Sequence, residues 1–184
     1  MILCYIESCK GDSEIDGFTN YFTCESFSFN VERELAESGK AGTSDVNIGV
    51  GELQECSISK SMDSASTDLA KKAISGGSCG TAEIKFVETI ESGGKNFNQV
   101  YLWFKLDNAF IKTWSVSGDG DDRPTEDVTL WYNKIAFVYF PTPDGVNFGP
   151  GIDVAWDQVK NAKWNQHAME LTATGSNVRF DADG

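Results

Sequence analysis

The chain has 184 residues, of which 40% are hydrophobic and 23% charged, enough for one sizeable domain and a tail. Its 28 acidic side chains against 15 basic ones leave a net charge of −13, which argues against nucleic acid or an anionic membrane as a partner, because phosphates are held by clustered cations. No apolar run reaches bilayer length and Met1 leads into ILCYIES without a basic stretch, so neither a secretory signal nor a membrane anchor is expected.

Five cysteines are spread along the first half: Cys4, Cys9, Cys24, Cys56 and Cys79. The number is odd and no CxxC pair occurs, so a complete disulfide framework is excluded and zinc-ligand spacing is missing. Free, buried thiols in a reducing cytoplasm are expected. In YFTCESFSFNV, residues 21–31, Phe22 and Cys24 share one parity while Phe27, Phe29 and Val31 share the other. That switch predicts a bulge near Glu25–Ser26, with Ser26, Ser28 and Asn30 facing away from the aromatics. Residues 35–51, LAESGKAGTSDVNIGVG, carry four glycines and no core-sized apolar block. They read as a long excursion between strands. Its second arm, where Val46, Ile48 and Val50 alternate, is suited to pair with another chain.

Residues 64–77 predict one short helix. Ser66 is the expected N-cap and Asp68 sits in the first turn; Leu69, Ala70, Ala73 and Ile74 form an apolar stripe, and Gly76 and Gly77 end it. Period-two alternation then dominates. Ile84, Phe86 and Ile90 lead to a hairpin turn at residues 91–96. Val100, Leu102, Phe104 and Leu106 share one face, with Tyr101, Trp103, Lys105 and Asp107 on the other. Residues 128–140 repeat the pattern. After Pro141 and Pro143 the chain turns, and beyond about residue 160 it is polar, so residues 1–160 form the predicted domain and 161–184 a tail or extra edge strand. The class is mainly β with antiparallel neighbours.

The one histidine, His167, lies in that tail, which leaves no base for a Ser–His–Asp or Cys–His arrangement. No glycine-rich phosphate motif joins a strand to a helix. The segment SGDGDDRPTEDV, residues 117–128, tests as a calcium loop and fails: counted from Asp119, position five is Arg123, six is Pro124 and twelve is Leu130. A glycosidase pair of Asp121 and Glu126 is disfavoured because such carboxylates come from separate strands flanking a cleft. The remaining reading is structural: Arg123 forks onto neighbouring carboxylates and Pro124 fixes the corner. If a neighbouring subunit covers them, Asp121, Asp122, Arg123, Pro124 and Glu126 specify register. No catalytic residue, metal or cofactor is assigned.

Five segments in order carry a resemblance: KGDS (10–13), SFSFN (26–30), ISKSMDSASTDLAKKAISGG (58–77) with its Lys-x-x-Asp-x-x-Ser lead, SVSGDGDDRPTEDVTLWYNKIAFVY (115–139) and VAWD (154–157). Together they resemble the haemolysin-coregulated protein (Hcp) family, the inner-tube protein of the bacterial type VI secretion system. The resemblance implies a β-barrel of two antiparallel sheets with one flanking helix, assembled as a hexameric ring. Stacked rings would form a tube driven by a contractile sheath, tipped by a valine-glycine-repeat spike protein and carrying effector proteins in its lumen. It implies a protein held in the bacterial cytoplasm before firing and then secreted without a signal peptide, acting as projectile and cargo holder rather than enzyme. Ser28 matches a lumen-facing position. Ser38, Gly39, Lys40, Gly42, Val46 and Ile48 fall in the matching ring-stacking loop. Trp103, Trp114 and Trp131 are open between the subunit seam and the chain's own barrel. Ala155 stands where the family has glycine before the tryptophan, and the tail is longer than usual. Other readings are a tail-tube protein of a phage-like injection particle, a secreted β-sandwich binding glycans through Trp103 and Trp131, and a hydrolase using the acids of 119–127.

Overall fold

A computed structural model of the chain describes residues 1–33, 35–36, 47–48, 51–142, 147, 149, 151–164 and 179–182. In chain order its strands are β1 (Ile2–Ile6), β2 (Phe22–Cys24), β3 (Ser26–Glu32), β4 (Leu35–Ala36), β5 (Asn47–Ile48) and β6 (Glu52–Ser61); helix α1 (Ser66–Ser75) follows. Then come β7 (Gly80–Ser92), β8 (Lys95–Ser117), β9 (Thr125–Trp131), β10 (Lys134–Tyr139), β11 (Ile152–Asp157), β12 (Ala162–Lys163) and β13 (Arg179–Asp181).

Two antiparallel sheets share the 23-residue strand β8. The first runs β12-β11-β10-β8-β7-β1-β2, with β13 beside the start of β8; the second runs β3-β6-β9-β8. β8 changes sheets next to Asn108, whose φ of 52° is a left-handed bend that asparagine tolerates. Before that bend β8 pairs with β10 through Asp107, and after it pairs with β9 from Phe110. The hydrogen-bond ladder does not close into a ring among the described residues. At the far corner the chain itself crosses from β2 to β3, where the Glu25 N–H donates to the Ser59 carbonyl at 2.8 Å. The parity switch in YFTCESFSFNV is therefore a change of sheet, not a bulge inside one strand. Phe22, Cys24, Phe27 and Phe29 all reach the same core. A separate irregularity between Phe29 and Val31 leaves Val31 exposed.

The main core lies between the sheets and includes Phe22, Ile58, Leu69, Ile84, Phe104, Leu106, Leu130 and Tyr132. All five cysteines are buried and free. A second core lies on the other face of the first sheet, where Leu3, Val87, Val100, Trp103, Val138 and Phe140 meet Phe18 and Tyr21 from the segment after β1. This corrects the face assigned to Val100. The β7–β8 register slips between Phe86↔Leu102 and Val87↔Val100, so Val100 joins Trp103 and leaves Leu102, Phe104 and Leu106 on the inner side. Trp103 is thus buried in its own subunit and forms no surface platform with Trp131.

Helix α1 starts differently from the expectation. Asp63 Oδ1 accepts the Ala65 N–H at 2.9 Å and the Ser66 Oγ accepts the Asp63 N–H at 2.9 Å. This reciprocal pair makes Asp63 the capping residue, with Ser66 answering from inside the first turn. Gly76 ends the helix in a left-handed conformation (φ 71°), its N–H on the Lys72 carbonyl at 3.0 Å. Leu69 and Ala73 pack on the core, but Ile74 is 88% exposed and does not belong to the stripe.

Candidate functional site

The second sheet shows two contrasting faces. On its outer face the strands align short hydroxyl side chains in rows. Ser26 lies opposite Ser59, which lies opposite Asp127, which lies opposite Ser115. Ser28, Ser57, Thr129 and Thr113 form the next row by the same pairings. Ser61, Thr125 and Ser117 make a third. The alternation of β6 and β9 produces this: Cys56, Ile58, Lys60, Glu126, Val128 and Leu130 are buried, and the residues between them point out. Ser28 is exposed in this array. The rows end at Trp131, 38% exposed, beside a Lys112–Glu55 ion pair of 2.9 Å. Such a face offers small donors and acceptors with one carboxylate within the rows, Asp127. It presents no positioned nucleophile and base.

The inner face holds a buried polar node. Lys60 Nζ donates to Glu126 Oε2 at 2.7 Å, to Asp63 Oδ1 at 2.8 Å and to the Ser61 carbonyl at 2.9 Å, which uses all three of its protons. Ser66 Oγ donates to Glu126 Oε2 at 2.7 Å, and Trp114 Nε1 donates to Glu126 Oε1 at 2.8 Å. The ring of Phe22 lies 5.2 Å from Lys60 Nζ. A lysine near a serine invites a reading as a catalytic dyad. Here the serine hydroxyl points at Glu126, Lys60 Nζ is 3.4 Å from it, and Lys60, Ser66 and Glu126 are all sealed from solvent. The node is structural: it ties β6, β8, β9 and the first turn of α1 to one another.

The residues expected to act together in 117–128 are thereby split. Glu126 points into the core, whereas Asp121, Asp122 and Arg123 lie exposed at the tip. Arg123 does not fork onto a carboxylate: its Nη1 donates to the Met62 carbonyl at 3.3 Å. The corner is held instead by Asp119, whose Oδ1 accepts the N–H groups of Asp121 at 3.1 Å and Asp122 at 3.3 Å. Pro124 contributes as expected of a corner residue, its carbonyl accepting the Met62 N–H at 2.9 Å. Lys60 and Ser66 were not singled out for their chemistry. Their signal was present in the Lys-x-x-Asp-x-x-Ser spacing of 60, 63 and 66.

Ser38, Gly39, Lys40, Gly42, Val46 and His167 lie outside the described residues. Ile48 belongs to β5, which pairs with β4 through Leu35↔Ile48. A second exposed feature is apolar: Tyr139 pairs with Ile152 across β10 and β11, and with Val154 both stand in solvent, Ile152 at 64%. Among the described residues no group of three or more His, Cys, Asp or Glu side chains is arranged to hold a metal. No helix among them is long and apolar enough to cross a membrane.

Comparison with known proteins agrees with this architecture. A family described as "Type VI secretion system effector, Hcp" matches residues 4–139. A solved structure of a type six secretion system protein superposes with a TM-score of 0.75 at 22% identity, covering 88% of this chain and 98% of its own. An Hcp protein of Salmonella typhimurium gives 0.64 at 21% identity, with 88% and 97% covered. A secreted Hcp protein of Pseudomonas aeruginosa gives 0.57 at 18%, with 85% and 99% covered. No curated protein matches the sequence.

Proposed function

Because this chain belongs to the Hcp family of type VI secretion system proteins, we propose that it is a tube subunit whose copies close into hexameric rings. The observation that carries this reading is the division of its surface. One sheet face is a lawn of hydroxyls, suited to line a passage, while Tyr139, Ile152 and Val154 form an exposed apolar strip suited to a subunit seam. A head-to-tail contact of unlike surfaces closes a ring. In that ring Ser28 and its row neighbours face the lumen, and the bore is lined by groups that bind transiting effector proteins weakly. The spike protein caps the stack, the contractile sheath surrounds it, and the subunit leaves the bacterial cytoplasm with the ejected tube. Asp121, Asp122 and Arg123 contact a neighbouring copy in this reading, which their exposure at one end of the β8–β9 hairpin supports.

Charge constrains the stack. Six copies at −13 each give −78 per ring, so rings repel one another unless salt screens them or a nucleating partner brings them together. Light scattering and negative-stain images test the proposal together. The expected result is a particle of six subunit masses with a hollow outline, lengthening to tubes as ionic strength rises. A species of one subunit mass at every concentration overturns it.

A further inference from the structure

Where the end of β9 meets the start of β6 and the turn after β11, the chain leaves a cavity of about 260 Å³. Glu52 and Leu53 come from β6, Trp131 from β9, Trp156 from β11, and Gln158 and Asn161 from the turn between β11 and β12. The hydroxyl rows end at its edge, and the tube reading gives it no role.

Tyr132, fully buried, holds the three walls together. Its hydroxyl donates to the Gln54 carbonyl at 2.7 Å, which fixes the start of β6. Its carbonyl accepts Gln158 Nε2 at 2.9 Å, which fixes that amide and leaves Gln158 Oε1 as an acceptor. Its ring stacks on Trp131, with centroids 5.8 Å apart and planes 26° apart. The turn is braced on its own account. The Gln158 N–H donates to the Asn133 carbonyl at 2.9 Å, and Asp157 Oδ1 accepts the Lys160 N–H at 3.0 Å. Asn161 then bends the chain into β12 with a φ of 49°, and Trp156 packs on the main core. The walls are thus set before any ligand arrives, which keeps the ordering cost of binding small.

The chemistry of the walls selects the ligand. Among the described residues no lysine, arginine or histidine lines the cavity, so a phosphate or carboxylate has no cation to meet. Glu52 is the one carboxylate there, too few for a divalent ion that takes six or more oxygens. An indole beside a carboxylate suits an organic ammonium, but such a cation leaves the amides of Gln158 and Asn161 unanswered. A neutral ring with C–H groups on its faces and hydroxyls on its rim answers all of them. We propose that this cavity binds one pyranose unit of a neutral saccharide. The sugar face lies on Trp131, which is 38% exposed, and Trp156 closes the side. Sugar hydroxyls donate to the Glu52 carboxylate and Gln158 Oε1, and one accepts from Asn161 Nδ2. Trp156, and not the buried Trp103, is the second tryptophan beside Trp131.

The full chain is titrated with the methyl glycosides of glucose, galactose, mannose and N-acetylglucosamine at millimolar concentration, followed by tryptophan fluorescence and ligand-observed saturation-transfer NMR. At least one glycoside should give a saturable fluorescence change, with transfer strongest to the protons of one ring face. Choline and sodium phosphate, as cationic and anionic probes, should not saturate. Trp131→Ala should weaken binding about tenfold, the loss of one aromatic stacking contact. Glu52→Gln should weaken it about fivefold, the difference between a charged and a neutral hydrogen bond; if Trp131→Ala does not fold, this variant decides. Ile74→Ser, on the exposed side of α1, should leave binding unchanged. No saturable response to any glycoside, natural affinity in the Trp131 and Glu52 variants, or saturation by choline or phosphate in place of the glycosides overturns the proposal. Light scattering on the same samples reports ring formation separately, so a failure of the tube reading is not mistaken for a failure of this one.

Discussion

Lys60 Nζ lies 2.7 Å from Glu126 Oε2, and neither side chain touches solvent. The pair is fully hydrogen-bonded, with Ser66 and Trp114 completing the carboxylate and Asp63 and Ser61 completing the ammonium. Removing one member leaves the other charge buried without its partner, which costs about 3–5 kcal/mol. Glu126→Ala and Lys60→Met should each lower the unfolding free energy from urea titration by that amount and detach the first turn of α1, read as faster hydrogen exchange at Ala65 and Leu69. The Lys60→Met/Glu126→Leu double variant should lose less than the sum, because no lone charge remains between the two. Single variants with unchanged midpoints would remove the node's role as the lock between sheet and helix.

The neighbouring Arg123 should behave in the opposite way. It is exposed, and its one bond to the Met62 carbonyl is long at 3.3 Å. Arg123→Ala should change the stability of the isolated subunit by no more than about 0.5 kcal/mol. Any larger effect should appear only in the assembled particle, as a lower subunit mass at equal concentration. A large loss of subunit stability in dilute solution would show that the corner depends on Arg123 and not on Asp119.

The contrast between these residues shows what sequence could tell. Glu126 shares the parity of Val128 and Leu130, so alternation alone turns it inward; an acid at a core position is a signal of a buried partner. The acid-rich context of 117–128 hid it, because four aspartates close in sequence draw attention to the exposed tip. The helix and the mainly β, antiparallel class follow from periodicity and turn residues, whereas the division into two sheets is implied by the family resemblance alone. The change of sheet at Glu25 and the slip at Val100 do not follow from periodicity, since a change of parity reads the same for a bulge and for a strand break. The hydroxyl rows are local in β3 but depend in β6, β8 and β9 on cross-strand register, which is a property of the assembled sheet.

Alkaline pH should destabilise the fold. Burial raises Cys56 from 9.0 to about 12 and pushes Tyr21 and Tyr132 well above 10.0. The folded chain keeps protons on these groups that the unfolded chain releases, so their contribution is whole below the unfolded values and is lost as pH rises past them. For Cys56 the loss runs from 9 to about 12, at about 1.4 kcal/mol per pH unit. Cys79, lowered to about 7, works in the opposite direction between 7 and 9, and Lys85, lowered by burial, does so below 10.5. Urea midpoints under reductant should therefore hold or rise slightly from pH 7 to 9 and fall beyond about pH 10. Cys56→Ala should flatten the fall between pH 9 and 11. A profile level to pH 11 in the natural chain would contradict the burial of these groups.

Phe180 and Gly17 form the last testable relationship. Strand β13 adds to β8 through Phe180↔Asn98, and its phenyl ring meets Phe18 at 4.8 Å between centroids. Gly17 sits beneath that ring with a φ of 77°, and a Cβ there would collide with the Phe180 ring carbons. Gly17→Ala thus carries two penalties: about 1–2 kcal/mol for the left-handed backbone and the collision. Phe180→Ala removes the collision while costing its own packing. The double variant should be less destabilised than the two single losses added, by about 0.5–3 kcal/mol. Hydrogen exchange at the Phe97–Gln99 edge should rise in both single variants as β13 lifts. Strict additivity, with that edge unchanged in Gly17→Ala, would mean that the ring does not seat on the glycine and that the second core is covered without the chain's C-terminal strand.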